Sequence, residues 1–284
     1  MERKRIFIVV KTYPTISAKY AELVCTAGVL ENGAWIRLYP LPFRKLEIEQ
    51  KFKKYSWINI DVERNQGDFR PETYRVINMD SIVVEETPKS KNTPWDYRKE
   101  IIFKSKKIYT SIKELINLAK TDLTSLAVFK PTEIIDFIIE KTDRDWPKEK
   151  VEILKAESMQ YSLFQSPEQV ANEYKLAKKV PYKFSYRFRD DTGTESTLMI
   201  EDWEIGMLYF HCLENAKGDE KTATEKVKEK YFKEFFTKDL YLFLGTTKQF
   251  HNIAPNPFII IGVFPPPKDD QGNLFGDECD VRRV

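Results

Sequence analysis

Residues 20–39 have the sequence YAELVCTAGVLENGAWIRLY, in which Glu31-Asn32-Gly33 separates two runs rich in β-forming side chains. Asn and Gly accept the positive φ angles that a two-residue hairpin turn needs at its central positions. The sequence therefore predicts a β-hairpin whose arms are Tyr20–Leu30 and Ala34–Tyr39.

Further strands are predicted on both sides of this hairpin. A segment made almost entirely of strands with short loops favours a closed or strongly curved sheet. We therefore interpret residues 1–90 as a β-rich module, either a small β-barrel or a curved antiparallel sheet. The other strands predicted in it are Arg5–Lys11, Tyr55–Glu63, Thr73–Asn78 and Ser81–Glu86.

The rest of the chain mixes helices with strands, which makes the fold class α+β and residues 91–264 a mixed α+β domain. Pro265-Pro266-Pro267 can continue neither element, so residues 265–284 are predicted to be a flexible, disordered tail. The predicted helices are Trp95–Phe103, Ser111–Ala119, Pro147–Leu154, Pro167–Lys178, Asp202–Ala216 and Ala223–Phe236. The predicted strands are Leu123–Phe129, Glu133–Glu140, Tyr182–Arg189, Glu195–Ile200, Tyr241–Gly245 and Phe258–Phe264.

The composition is typical of a cytoplasmic protein with a hydrophobic core. Hydrophobic residues make up 42% of its 284 residues, and the charged 32% nearly cancel to a net charge of +2. Any basic surface must therefore be local. The three cysteines lie far apart, and no apolar run approaches the roughly 20 residues of a membrane span. No cofactor motif or metal-ligand spacing is found, and Gly245-Thr246-Thr247-Lys248 lacks the upstream glycine of a phosphate-binding loop.

One face of the second hairpin strand suits nucleic acid. Trp35, Arg37 and Tyr39 share that face, since side chains alternate across a strand. An arginine between two aromatic residues can contact phosphate while its neighbours stack on bases, and Arg44 follows nearby. The alternative is an ordinary amphipathic strand with an arginine whose charged end reaches solvent.

A second candidate surface lies on the predicted strand Tyr182–Arg189. Lys183, Arg187 and Arg189 alternate there with four aromatic residues. The aromatic face fits a core, and the opposite face would form a basic ribbon for phosphate contacts that carry no sequence information.

Carboxylates raise the alternative of a metal-dependent nuclease. Asp190, Asp191, Glu201 and Asp202 cluster in sequence, and such enzymes need several carboxylates converging on one or two ions. The competing interpretation is structural, because an acidic residue at position 202 suits the positive end of the helix that follows.

The tail carries Gln271-Gly272-Asn273-Leu274-Phe275, in which two large apolar residues stand inside a polar segment. It resembles the peptides with which bacterial DNA polymerases and mismatch-repair proteins bind the replication sliding clamp. Gln271, Leu274 and Phe275 match that pattern, whereas Gly272 stands where those peptides usually have Leu. The resemblance implies docking to the sliding clamp.

Together these features predict a nucleic-acid-binding accessory protein of DNA repair, replication or phage defence, with DNA, or alternatively RNA, as its partner. The body of the chain also resembles prokaryotic proteins whose N-terminal module contains the sequence Trp-Ile-Arg-Leu-Tyr-Pro, which is found here at residues 35–40. Two alternatives stay open, a metal-dependent nuclease and an interaction scaffold that makes no contact with nucleic acid.

Overall fold

The computed structural model describes residues 1–17, 21–85, 94–104, 107–152 and 177–268. The predicted docking peptide and most of the predicted helix at 167–178 lie outside these ranges. Within them, no helix is long and apolar enough to cross a membrane.

The N-terminal part is a closed five-stranded barrel, which confirms the predicted small β-barrel. Its strands follow the order β1-β4-β5-β7-β6, and β6 pairs with β1 to close the ring. All neighbours are antiparallel except β5 and β7, which are parallel. This is a Greek-key arrangement. The strands of this part are β1 Glu2–Lys11, β2 Thr15–Ser17, β3 Ala21–Leu23, β4 Thr26–Leu30, β5 Trp35–Leu38, β6 Trp57–Arg64, β7 Thr73–Val76 and β8 Val83–Val84.

The predicted hairpin forms β4 and β5. The turn differs from the predicted two-residue type, because Gly33 has a positive φ of 85° whereas Asn32 does not, and the backbone N–H of Gly33 donates to the Leu30 carbonyl. Ile36 and Leu38 are fully buried inside the barrel, as the alternation predicts. A Cβ added at Gly28 would lie 2.5 Å from the backbone oxygen of Phe7, so glycine allows β4 to approach β1 closely.

The second part confirms the α+β assignment. It contains one sheet of order β15-β14-β10-β9 and another of order β11-β12-β13. Its helices are α1 Pro94–Phe103, α2 Ile112–Lys120, α3 Trp203–Asn215 and α4 Glu220–Lys228, the last continuing into a π-helical segment at Glu229–Glu234. Its strands are β9 Ile108–Tyr109, β10 Leu126–Phe129, β11 Glu133–Lys141, β12 Tyr182–Arg189, β13 Glu195–Met199, β14 Tyr241–Thr246 and β15 Phe258–Phe264.

The two parts share a hydrophobic core. Phe7 and Val9 on β1 point out of the barrel and pack against the sheet that contains β10, β14 and β15. On β5, Trp35 meets Phe243 edge-on, with ring centroids 5.9 Å apart. The sheet covers only part of the barrel wall, and an open cleft remains beside the covered part.

The chain stays packed for a short distance beyond the last strand. β15 ends at Phe264, where the three prolines begin. Pro266 is buried, and its carbonyl oxygen accepts a hydrogen bond of 2.9 Å from the backbone N–H of Asp239. The first prolines therefore belong to the folded body.

Candidate functional site

The cleft of about 560 Å³ lies where β5 and the residues just before β4 meet the loop after β14. Its volume falls within the range typical of ligand-binding pockets. Both halves of the chain contribute to its lining. The charged and aromatic side chains of this lining are Arg37, Tyr39, Phe69, Arg70, Glu201 and Lys248.

Arg37 is the most unusual group in the cleft, since only 1% of it is exposed. Its Nη1 donates to Ser125 Oγ at 2.6 Å and to Thr73 Oγ1 at 3.2 Å, and its Nη2 donates to the Ser125 carbonyl at 3.0 Å. Nε is buried and has no hydrogen-bond partner among the described residues. Burial, with the nearby charge of Arg70, lowers the pKa of the guanidinium. A buried cation held by neutral groups strongly favours an anion beside it.

A second orphaned polar atom lies in the same cleft. Thr247 Oγ1 is buried without a hydrogen-bond partner in the part of the chain that the structure describes, and Thr247 lines the cleft together with Arg37. Buried polar atoms are nearly always satisfied in folded proteins. Arg37 and Thr247 thus place two polar atoms with unused hydrogen-bonding capacity beside one cleft.

Arg70 and two aromatic rings form another part of the lining. Arg70 is buried and paired with Asp68, with Nη2 at 2.6 Å from Oδ2 and Nε at 2.9 Å from Oδ1. Its guanidinium carbon lies 5.9 Å from the ring centroid of Tyr39. Phe69 is 45% exposed at the cleft mouth. The mouth thus offers an aromatic face to a planar ligand.

Lys248 supplies the exposed positive charge. Its Nζ donates to the backbone oxygen of Gly67, which ties the loop after β14 to the loop between β6 and β7. No ion pair joins Lys248 to a carboxylate among the described residues. The sequence pattern Gly245-Thr246-Thr247-Lys248 does not form a phosphate-binding loop, yet its last three residues line the cleft.

Glu201 brings a carboxyl group to the cleft. Its backbone is fixed on both sides, because its N–H donates to Ile260 and its carbonyl oxygen accepts from Tyr13. The side chain makes no hydrogen bond among the described residues. Burial raises the pKa of Glu201, so its carboxyl group is easier to protonate than an exposed one.

The residues of the first predicted nucleic-acid-binding surface, Trp35, Arg37, Tyr39 and Arg44, do not all lie in one site. Tyr39 lines the cleft, and Arg37 reaches it from the protein interior. Trp35 instead packs into the core shared with the second part. Arg44 lines a different cavity, beside Trp203. Arg37 and Tyr39 are therefore the members of this set that meet in one site.

The predicted basic ribbon on β12 is paired with acidic residues of the neighbouring strands. Arg187 and Arg189 both contact Glu195 on β13, at 2.7 Å and 2.9 Å. The other contacts in this network join Arg189 to Glu133 and Lys183 to Glu140, both acids on β11. These carboxylates reduce the positive field of the ribbon. The aromatic residues between them lie in the core, as the alternation predicts.

The four candidate catalytic carboxylates do not converge. Burial would raise the pKa of Asp190, but the Thr192 hydroxyl and the backbone N–H groups of Ile112, Thr192 and Thr194 donate to its carboxylate, and together these hydrogen bonds lower the pKa. Asp191 is exposed beside Thr110. Both lie at the turn of the β12–β13 hairpin, and residue 201 follows the far end of β13, roughly 20 Å along the strand.

Asp202 has a structural environment. Its Oδ1 accepts from the backbone N–H of Glu204, which makes it the N-cap of α3, as its position predicts. Its Oδ2 lies 3.0 Å from Lys54 Nζ in a buried ion pair. Burial alone would lower the pKa of Lys54, but the nearby carboxylates of Asp202 and Glu204 outweigh burial and raise that pKa. Among the described residues, no three acidic, histidine or cysteine side chains are arranged to hold a metal ion.

Sequence reasoning missed Phe69, Arg70 and Lys248. The loop Asp68-Phe69-Arg70 combines an aromatic residue with a charged pair, but nothing in the sequence shows that it faces β14, more than 170 positions away. Gln271, Leu274 and Phe275 lie outside the described residues, so their predicted role stays a prediction.

The model of a family described as a domain of unknown function, DUF8757, matches residues 108–279, more than half of the chain. The chain belongs to this family. The model of a second domain of unknown function, DUF8758, matches residues 2–104, which span the barrel and α1. In this member of DUF8757 the cleft is built by both matched regions, because Arg37 and Arg70 come from one and Glu201 and Lys248 from the other.

Other comparisons add little for this DUF8757 chain. The search of curated proteins found no match. Among solved structures, a murine DNA-binding protein bound to double-stranded DNA aligns at 11% identity with a TM-score of 0.30. The alignment covers 94% of this chain and 95% of that one. A likeness of this size carries no argument about function.

Proposed function

We propose that this protein binds nucleic acid and holds one unpaired nucleotide in the cleft, acting as an accessory protein of DNA repair, replication or phage defence. The observation that carries the proposal is the buried guanidinium of Arg37, which no carboxylate of the described residues contacts directly, in a cleft that also presents Tyr39 and Phe69. A nucleotide offers both an anion for such a cation and a planar base for such rings.

The charges support a negatively charged ligand. Asp68 neutralises Arg70, but Arg37 and Lys248 have no direct carboxylate partner among the described residues. Glu201 is the remaining acid in the lining, and burial favours its neutral form. A neutral carboxyl group can both donate and accept, which suits hydrogen bonding to the edge of a base.

The position of the cleft gives an argument by analogy. In five-stranded Greek-key barrels of the OB type, oligonucleotides bind on the face of the second and third strands and in adjoining loops. Counting barrel strands only, β4 and β5 are the second and third, and Phe69 lies in the loop between the fourth and fifth. Fold analogy alone does not establish function, so the side chains of the cleft remain the main support.

The test is salt-dependent binding of a short fluorescent single-stranded DNA, measured by anisotropy for the wild type, Lys248→Ala and Phe69→Ala. Loss of one phosphate contact should weaken binding and reduce the slope of log affinity against log salt by about 0.7. Loss of one stacking ring should cost about 1–3 kcal/mol, or roughly 5- to 150-fold in affinity.

Two control variants separate the cleft from general charge and surface effects. Arg187→Ala removes a cation that is already paired with Glu195, and Phe236→Ala removes an aromatic side chain that is 61% exposed and lies outside the cleft lining. Both should bind like the wild type. Absence of salt-dependent binding, or equal losses in cleft and control variants, would contradict the proposal. The same series with RNA of identical sequence decides between the two nucleic acids.

The accessory role rests on the tail sequence. Gln271, Leu274 and Phe275 match the clamp-binding pattern, and docking there would bring the cleft to replicating or repaired DNA. Clamp docking is independent of the cleft, so each proposal can fail without the other.

A further inference from the structure

An apolar surface borders the cleft. Phe69 is 45% exposed, Phe250 47%, Ile253 73% and Leu123 67%. Phe69 lines the cleft itself, and the loop of residues 247–256 contributes Thr247, Lys248 and Gln249 to the lining just before Phe250. Large apolar side chains gathered beside a charged cleft mark an interaction surface more often than isolated ones do.

The loop that presents this surface is anchored. His251 is completely buried, with Nδ1 at 2.7 Å from Thr246 Oγ1 and Nε2 at 3.1 Å from Asp122 Oδ1. Its ring also lies 5.4 Å from that of Phe69. The backbone N–H of Ala254 donates to the Phe250 carbonyl, which closes a turn. The exposed side chains on either side of His251 are therefore held in place by a fixed loop.

Charge defines the kind of partner. Lys248 is exposed two positions before Phe250, and the buried guanidinium of Arg37 lies in the wall of the cleft behind it. A purely apolar protein partner would have to bury Lys248 without compensation, which is costly. A nucleic-acid duplex offers phosphates to the lysine and base steps to the apolar side chains.

We infer that the cleft receives a nucleotide extruded from a duplex, and that Phe250 and Ile253 insert into the gap it leaves. This inference rests on the proposed function and names its substrate as double-stranded nucleic acid with a weakened base pair. Proteins that unstack a duplex commonly insert Phe, Leu or Ile between base steps. An aliphatic side chain such as Ile253 offers no ring for stacking on a single strand, but it can fill a gap in a duplex.

The energetics favour a weakened pair. Extruding a nucleotide costs the stacking and pairing energy of that base, and the cost is smallest at a mismatch. The expected substrate is therefore a duplex with one mispaired base, bound more tightly than the matched duplex.

The experiment uses the full chain and two 20-base-pair DNA duplexes that differ by one central mismatch, with 2-aminopurine at the mispaired position. The wild type should bind the mismatched duplex at least 5-fold more tightly and raise the 2-aminopurine fluorescence several-fold. The Phe250→Ala/Ile253→Ala variant should lose both effects while keeping its affinity for single-stranded DNA within about 2-fold.

The matched control is Phe236→Ala/Ile48→Ala, which removes one exposed aromatic and one exposed aliphatic side chain outside the cleft lining. It should behave like the wild type. Equal affinity for both duplexes, or a fluorescence rise that survives in the Phe250→Ala/Ile253→Ala variant, would overturn the inference and leave single-strand binding intact. Failure to bind any nucleic acid would overturn the proposed function as well.

Discussion

Arg37 and Ser125 join the barrel to the second part of the protein. Two nitrogens of the guanidinium donate to Ser125, at 2.6 Å to Oγ and 3.0 Å to the carbonyl oxygen. Ser125 Oγ in turn donates to Glu72 Oε2. The nearest carboxylate in this hydrogen-bond network is thus one residue removed from the buried cation, which leaves positive charge available at the cleft.

Ser125→Ala should lower the free energy of unfolding by about 1–3 kcal/mol, because it removes one hydrogen-bond partner from the buried Arg37 and from the partly buried Glu72. Urea unfolding followed by tryptophan fluorescence measures the change. Ser196→Ala on β13 is the control, since the Ser196 hydroxyl makes no hydrogen bond among the described residues. If the two variants were equally stable, the hydrogen bonds of the Ser125 hydroxyl would make no net contribution to stability.

Asp202→Ala should destabilise the fold by about 3–5 kcal/mol, because it removes the buried carboxylate that pairs with the Lys54 ammonium, leaving the half-exposed carboxylate of Glu204 beside it, and also removes the N-cap of α3. Asp191→Ala, at an exposed hairpin, should change stability by no more than about 0.5 kcal/mol. Thermal and urea unfolding of both variants provide the comparison. A stable Asp202→Ala protein would contradict the structural role assigned to this carboxylate.

Glu201→Gln should stabilise the protein at neutral pH and flatten its pH dependence. Burial raises the native pKa of Glu201 above its ordinary value of 4.5. The stabilising contribution of the protonated form is therefore fully present below about pH 4.5 and is lost as the pH rises through the raised native pKa. The amide keeps the shape of the side chain and cannot ionise.

The measurement for this variant is the difference in unfolding free energy between wild type and Glu201→Gln from pH 4 to pH 8. It should favour the variant increasingly as the pH rises and then level off. Because other titrating groups are common to both proteins, they cancel in the difference. A difference that stays constant across this range would show that Glu201 ionises normally.

Local sequence signals predicted much of the fold. The hairpin around Asn32-Gly33, the inward face of Ile36 and Leu38, and the N-cap at Asp202 depend on neighbouring residues, and each is present, although Asn32 lacks the predicted positive φ. The buried environment of Arg37, by contrast, depends on Ser125, 88 positions away. An alternating pattern does not show which sheet covers the outer face of a strand.

The candidate sites, too, depend on contacts between residues that are distant in sequence. The charges of Arg187 and Arg189 are visible in the sequence, but their pairing with Glu195 depends on the strand register. The lining of the cleft joins the loop between β6 and β7 to the loop after β14, and no local pattern connects them. Residue type could therefore suggest nucleic-acid contacts, while only the tertiary arrangement locates them.

Gly206→Ala should destabilise the protein although alanine is the better helix former. A Cβ at this position of α3 would lie 2.3 Å and 2.5 Å from two ring carbons of Tyr13. The Tyr13 ring is held there, because its hydroxyl donates to the Lys178 carbonyl at 2.7 Å. Overpacking of about 1–3 kcal/mol should exceed the helix-propensity gain of about 1 kcal/mol.

Urea unfolding again gives the answer for Gly206, with Gly67→Ala as its control. A Cβ at Gly67 would meet only Asn65 Oδ1, at an acceptable 3.4 Å. The control should therefore unfold close to the wild-type midpoint, whereas Gly206→Ala should unfold at lower urea. A higher urea midpoint for Gly206→Ala would show that the loop containing Tyr13 can move to accommodate the added Cβ, and that alanine stabilises α3.

The tail prediction can be tested apart from the folded body. Burial of Leu274 and Phe275 in a partner pocket would contribute about 1.5–3 kcal/mol each, so Leu274→Ala/Phe275→Ala should lose roughly 100-fold or more in affinity for an immobilised sliding clamp. Gly272→Leu restores the residue that clamp-binding peptides usually have and should increase recovery. Both variants should keep wild-type affinity for single-stranded DNA, because they leave the cleft unchanged. Equal recovery of all three proteins would remove the sliding clamp as a partner and, with it, the main reason to expect DNA rather than RNA.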